Sequence, residues 1–222
     1  MRKVIVGAMV SLDGVMQAPG GPEEDPTGGF RYGGWVASLV DEVFGEEIDR
    51  IFSQPFDLLL GRKTYEIFAA HWPYAEKGPD DSIAQAFNAV KKYVATRKGL
   101  ELTWKDSVAL NDAAADVARL KQEDGPALIT QGSTELIQTL LANGLVDELN
   151  MFICPVVLGK GKQLFGDAAQ PAAFSLAASR VSPNGIVIAK YVRDGAVQTG
   201  DFAMDPPTEV EVARREKMLR EG

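Results

Sequence analysis

An α/β architecture, with a sheet that is parallel in its first half and antiparallel at its end, is what this sequence predicts, on three observations. Short apolar runs alternate with amphipathic helical stretches between Val4 and Leu141. Three of those runs end in glycine, hydroxyl or basic residues that open the next helix or loop. Beyond Glu148 the helical spacing gives way to strand-like segments, two of them flanking the turn Pro183-Asn184-Gly185. At 222 residues and 45% hydrophobic content the chain is long enough for one full core. The expected division is a domain over 1–194 and a tail over 195–222.

Each element has its own warrant. Val4 to Val10 is a Val/Ile-rich run ended by Ser11-Leu12-Asp13-Gly14. With no small-residue cleavage site after it, it reads as a buried first strand rather than a leader peptide. Gln17 to Gly34 is rich in Gly and Pro and predicts a long surface loop of the kind that covers sites. From Trp35 to Phe52 apolar residues recur at three and four, an amphipathic helix stopped before Pro55. Asp57 to Leu60 is a strand running through Gly61-Arg62-Lys63-Thr64 into a helix from Tyr65 to about Ala70. A helix near Asp81 to Val90, a strand Tyr93 to Thr96 and a helix Asn111 to Gln122 follow. Ala127 to Gln131 is a further strand, and Gly132-Ser133-Thr134 opens a helix that stops at Asn143-Gly144. Glu148 to Leu158 is strand-like, and Ser175 to Val181 pairs with Ile186 to Val192. In the tail, Thr208 and Glu211 form a capping box for a helix from Glu209 with few apolar residues, either packed on a partner or solvated.

Charge narrows the function classes. With 23 basic and 31 acidic residues the net charge is −8, so neither nucleic acid nor an anionic membrane is expected as partner. No apolar run approaches the ~20 residues of a membrane span. The single cysteine, Cys154, forms no internal disulfide and fits the cytosol. One histidine and one cysteine far apart predict no metal site.

Strand ends carry the chemistry. Gly61-Arg62-Lys63-Thr64, Thr96-Arg97-Lys98 and Gly132-Ser133-Thr134 would border one crevice at the carboxyl edge of the sheet. Arg62 and Lys63 stand where a helix N-terminus already carries partial positive charge, a conflict that a bound phosphate removes and that exposure to water also relieves. A ligand with several phosphates along a sheet edge is a dinucleotide, and cations at Arg97-Lys98 suit the 2'-phosphate of NADPH. There is no Rossmann fingerprint and no Walker A loop.

The strings VSLDGV (Val10–Val15), LLLGRKTYEIF (Leu58–Phe68) and ITQGSTELIQTLLANGLVDELNMFICPVVLGKGKQLF (Ile129–Phe165) resemble the dihydrofolate reductase fold. More closely they resemble the bacterial dihydrofolate-reductase-like family that shares its domain with the reductase half of the riboflavin-pathway deaminase/reductase. The resemblance runs from about Val4 to Val192. It implies a three-layer fold, with a mixed, mostly parallel sheet between helices on both faces. It also implies an NADPH-binding site, a small-molecule substrate and a homodimer. By the same resemblance Ala8 and the Asp13-Gly14-Val15 loop face the nicotinamide. Gly61, Arg62, Lys63 and Thr64, with Gly132, Ser133, Thr134 and Glu135, hold the phosphates, while Thr96 and Arg97 meet the 2'-phosphate. Gly7 stands where the riboflavin-pathway reductase has a lysine, and Gln131-Gly132 where dihydrofolate reductase has Gly-Gly.

Hydride transfer needs a proton source as well. A helical count from Trp35 puts Glu47 on the apolar stripe, where it pairs with a cation or faces a cavity. If Gly45 shifts the phase, Asp41 takes its place. Asp13 is the alternative acid, or a turn residue capping backbone. His71 reads as a helix-end residue, Cys154 as a small buried hydrophobe, and Trp35, Trp72 and Trp104 as packing residues. Lys160 and Lys162 either reach an anion or lie in a solvated loop. Two functions remain open: an NADPH-dependent reductase of a small heterocycle (pteridine, pyrimidine or similar), the riboflavin-pathway uracil reductase included, or a non-catalytic nucleotide-binding module.

Overall fold

A computed structural model describes residues 1–75, 81–96, 100–166, 169–202 and 206–221. Eight strands form one sheet: β1 (Val4–Ser11), β2 (Phe56–Gly61), β3 (Lys92–Ala95), β4 (Ser107–Leu110), β5 (Ala127–Thr130), β6 (Glu148–Cys154), β7 (Phe174–Val181) and β8 (Val187–Arg193), in the order β4-β3-β2-β5-β1-β6-β8-β7. Every pairing from β4 to β6 is parallel, and β8 runs antiparallel to β6 and β7. The helices are α1 (Glu42–Phe52), α2 (Arg62–His71), α3 (Asp81–Ala89), α4 (Ala113–Gln122), α5 (Thr134–Ala142) and α6 (Glu209–Glu221).

The two-residue alternation of a strand divides the core. On one face Val4, Val6, Ala8 and Val10 of β1 pack with Val117 and Leu120 of α4 and with Leu136, Ile137 and Leu140 of α5. On the other, Ile5, Leu58, Leu60 and Ile129 pack with Phe44, Ile48 and Ile51 of α1, Tyr65 of α2 and Phe87 of α3. The result is a three-layer α/β fold with a mostly parallel mixed sheet, as the resemblance implied. Among the described residues no helix is long and apolar enough to cross a membrane.

Differences from expectation have local causes. The helix expected from Trp35 begins at Glu42, because the Asp41 carboxylate accepts the Phe44 N–H at 2.9 Å and caps it there. The residues before it form a single 3₁₀ turn, Ala37–Leu39. Strand β4 is a four-residue edge strand with Val108 and Ala109 exposed, and its apolar run, Val108 to Leu110, is too short to stand out in the sequence. Strand β3 starts at a fully buried Lys92, whose Nζ donates to the Asn88 and Lys105 carbonyls at 2.9 and 3.1 Å and lies over the Trp104 ring. Helix α6 buries no residue.

The Gln17–Gly34 loop is tied down. Gln17 donates to the carbonyls of Asp25 and Thr27, and the Trp35 indole donates to the Gln17 carbonyl, each at 2.9 Å. Val15, Ala18 and Phe30 form a small apolar cluster of their own. At Gly33 a Cβ would meet the Pro22 and Gly21 carbonyl oxygens at 2.5 and 2.6 Å, so only glycine lets the loop fold back on itself.

Candidate active site

The loop roofs a cavity of ≈ 880 Å³ at the carboxyl ends of β1, β2 and β5, the size of a small-molecule site. Its floor is Gly7 and Met9 of β1 with the Gln131–Thr134 turn. Lys63 and Thr64 of α2 and Lys162 border it at one end. At the other stand Phe44, Ile48 and Phe52 of α1, Ile67, Phe68 and His71 of α2, Trp72, and Ile83 and Phe87 of α3. The turn from Gln17 to Asp25 covers it.

At the polar end two strand ends meet. The Gly61 N–H donates to the Gly132 carbonyl at 3.1 Å. A Cβ on Gly61 would lie 2.2 Å from the Ser133 hydroxyl and 2.8 Å from its backbone nitrogen, and one on Gly132 would lie 2.6 Å from the Thr64 hydroxyl. The Gly132–Ser133 peptide is cis. The Ser133 hydroxyl makes no capping bond to α5, which leaves first-turn N–H groups of α5 directed at the cavity. Above them the Lys63 ammonium lies beside that of Lys162, and this contact, with partial burial, lowers the Lys63 pKa. Lys162 is paired with Asp25 and donates to the Thr27 hydroxyl at 3.0 Å. Burial opposes ionisation of Asp25, but Lys162 and Thr27 outweigh it and its carboxyl titrates below the ordinary range. Adjacent cations, open helix N–H groups and a backbone cradle with no room for side chains fit a phosphate chain.

The structure brings together Lys63, Thr64, Gly132, Ser133 and Thr134, with Gly61 directly behind them. Other expected residues lie elsewhere. Arg62 is exposed and bonded to Glu66 at 3.1 Å, one turn along α2, outside the cavity. Glu135 reaches it only as a charge felt by Lys63. Thr96 follows β3, its N–H bonded to the Leu110 carbonyl, and does not border the cavity; Arg97 and Lys98 lie outside the described residues. Ala8 faces α4 and α5, because strand alternation gives the cavity to its neighbours Gly7 and Met9. Gly14 adopts φ 80° and serves the turn, its carbonyl accepting the Leu164 N–H.

The expected acids are occupied by other work. Glu47 is buried as counted, but its carboxylate pairs with Arg50 at 2.5 Å and Arg180 at 3.7 Å, and α1 gives the cavity Phe44, Ile48 and Phe52 instead. Asp41 is the α1 cap. Asp13 accepts from the Ser11 hydroxyl and the Leu158 and Gly159 N–H groups, which hold its carboxyl at about 2 and fasten the first turn to the 158–159 loop. The carboxyl that borders the cavity with a raised pKa is Glu24, in the roof. Burial raises its pKa against the pull of the Gly20 and Gly21 N–H groups, which it accepts at 2.6 and 3.2 Å. Its sequence signal was drowned in an acidic stretch. His71 and Trp72, read as structural, also border the cavity, their rings edge to face at 4.8 Å.

A model of the RibD C-terminal domain family matches residues 2–188. The chain belongs to that family. Among curated proteins it is 30% identical over 197 residues to the uncharacterized protein YyaP of Bacillus subtilis (strain 168), covering 87% of this chain and 96% of that one. Its fold is similar to a putative riboflavin biosynthesis protein from Shewanella sp. PV-4, at a TM-score of 0.61 and 20% identity over 86% of this chain and 99% of that chain. It is also similar to dihydrofolate reductase from Enterococcus faecalis, solved with NADP(H), at a TM-score of 0.54 and 12% identity over 86% and 96% of the two chains. The family and the similar structures support a reductase of the riboflavin-pathway type, and in this member the cavity stands at the carboxyl edge of the parallel strands.

Proposed function

We propose that this RibD C-terminal domain protein is an NADPH-dependent reductase of a small heterocyclic substrate. The observation that carries the reading is the polar end of the cavity, where Gly61 and Gly132 bring two strand ends into contact beneath Lys63 and Lys162. When bound there, NADPH supplies the hydride. Lys63, Lys162, Thr64 and the α5 N–H groups hold its phosphates, and by family resemblance Thr96 and Arg97 meet the 2'-phosphate. Gly7 and Met9 form the floor beneath the reacting rings, and the Gln17–Asp25 roof excludes water from them. Glu24, which borders the cavity and whose pKa burial raises, delivers the proton to the reduced atom and takes another from solvent afterwards.

Calorimetric titration with NADPH and NADH, on the wild type and Arg97→Ala, tests this. The reading expects micromolar NADPH binding, weaker NADH binding and loss of that preference in the variant. Failure of both cofactors to bind overturns it in favour of a non-catalytic module.

A further inference from the structure

Resting on the reductase reading, we infer that the hydride acceptor is a planar, uncharged, largely apolar ring system that carries no phosphate. The inference comes from how the cavity divides its charge. Lys63, Ile67 and His71 stand four residues apart on one face of α2, so the first and last are separated by about 12 Å along the helix axis. Both lysines that border the cavity lie at the Lys63 end, with the helix N–H groups that suit a dinucleotide. At the far end, among the described residues, His71 is the single ionisable side chain that the helices give the cavity, and the roof over it adds carboxyls, Glu23 and Glu24 beside the Lys162-paired Asp25, but no cation.

Aromatic rings and isoleucines make up the rest of that end. Phe87 is the hub: its ring meets Phe52 at 4.9 Å and Trp72 at 5.0 Å edge to face, and lies parallel to Phe68 at 5.9 Å. Ile67 and Ile83 fill the space between. Such walls reward apolar area and ring stacking. A phosphate placed there would lose its hydration without a fixed cation to replace it. A phosphoribosyl pyrimidine, the obvious acceptor for a domain of this type, therefore does not suit this chamber, whereas a flat bicyclic heterocycle does. Selectivity of this kind is strong because the unpaired charge is rejected outright, not merely bound less well.

The test uses the whole chain saturated with NADP⁺, so that nothing turns over, and follows binding by calorimetry. Quinoxalin-2-one represents the neutral bicycle and uridine 5'-monophosphate the phosphoribosyl pyrimidine. The expected result is that quinoxalin-2-one binds and uridine monophosphate binds at least about tenfold more weakly, or not at all. Ile67→Arg, which puts a cation into the apolar end, should narrow or reverse that ratio. Ile83→Glu, on α3, should weaken the bicycle and improve neither ligand, which keeps the test open if Ile67→Arg does not fold. Uridine monophosphate binding to the wild type as tightly as the bicycle overturns the inference, and so does failure of the bicycle to bind. If NADP⁺ itself does not bind, the cofactor reading fails separately, and the same two titrations without cofactor still decide what the chamber accepts.

Discussion

The two ends of the cavity are built by different means. The polar end is backbone: glycines at two strand termini, a turn, helix N–H groups and two lysines held by short local contacts. The apolar end is side chain: the inner faces of three helices, whose rings belong at once to the cavity wall and to the hydrophobic core. The difference teaches which changes damage function and which damage the fold. A polar-end side chain is dispensable for stability, while the polar-end glycines and the apolar-end rings serve both.

Phe87→Ala should show the largest effect, because it removes a ring that is 1% exposed and touches four others. A loss of about 3–5 kcal/mol is expected in urea unfolding, with NADPH affinity per folded molecule unchanged. A loss under about 1 kcal/mol would mean that the cavity wall is not part of the core. Gly61→Ala should come next, destabilising by about 1–3 kcal/mol since its Cβ meets Ser133 backbone. It should also abolish NADPH binding, joining in one substitution what the comparison otherwise keeps apart.

What could be read from the sequence follows the same division. Gly61, Lys63, Thr64 and Gly132 to Thr134 could be placed in advance because a strand end followed by a helix N-terminus has a fixed chemical meaning wherever the strands lie. The presence of β1, β2, β5 and β6 was legible from the same alternation of apolar runs and helices, whereas their order in the sheet was not, because it is set by pairings distant in sequence. Ile67, Phe68, Ile83 and Phe87 were not, since a helix face lining a cavity and one lining a core have the same 3.6-residue spacing. Ala8 was misplaced by a single residue, which in a strand exchanges one face for the other. Glu47 was correctly counted as buried, but spacing along α1 does not reveal Arg180, which arrives from β7. Arg62 and Lys63 are adjacent in sequence, yet a helix turns 100° per residue and sends one to Glu66 and the other into the site.

That last pair gives the sharpest contrast of smaller size. Lys63→Ala should weaken NADPH by about tenfold without lowering the melting temperature, because it also removes the repulsion from Lys162. Arg62→Ala should change NADPH affinity by less than about twofold, as expected for an exposed ion pair. Equal losses in the two variants would move the phosphates outward along α2.

The smallest effects are in pH. The Lys63 pKa lies below 10.5, lowered by Lys162, so its charge fades before that of an ordinary lysine as pH rises. NADPH affinity should fall along that rise, and binding in this range should take up protons, measurable as a dependence of the calorimetric heat on buffer ionisation. Buried Lys92, with the same direction of shift to about 8, has no ligand to couple to. Between about pH 8 and 10.5 the unfolded chain holds a proton there that the folded chain has lost, so the Lys92 contribution to stability improves as pH rises. Lys92→Met should flatten that part of the stability curve.

The central claim, that one cavity takes the cofactor at its backbone-built end, is tested most directly by amide NMR spectra of the whole chain with NADPH added. The account predicts shifts concentrated at Gly7, Met9, Gly61, Thr64 and Gly132 to Thr134, with α6 and the β7–β8 edge unmoved. Shifts centred on that edge or on α6, or no shifts at all, would contradict it.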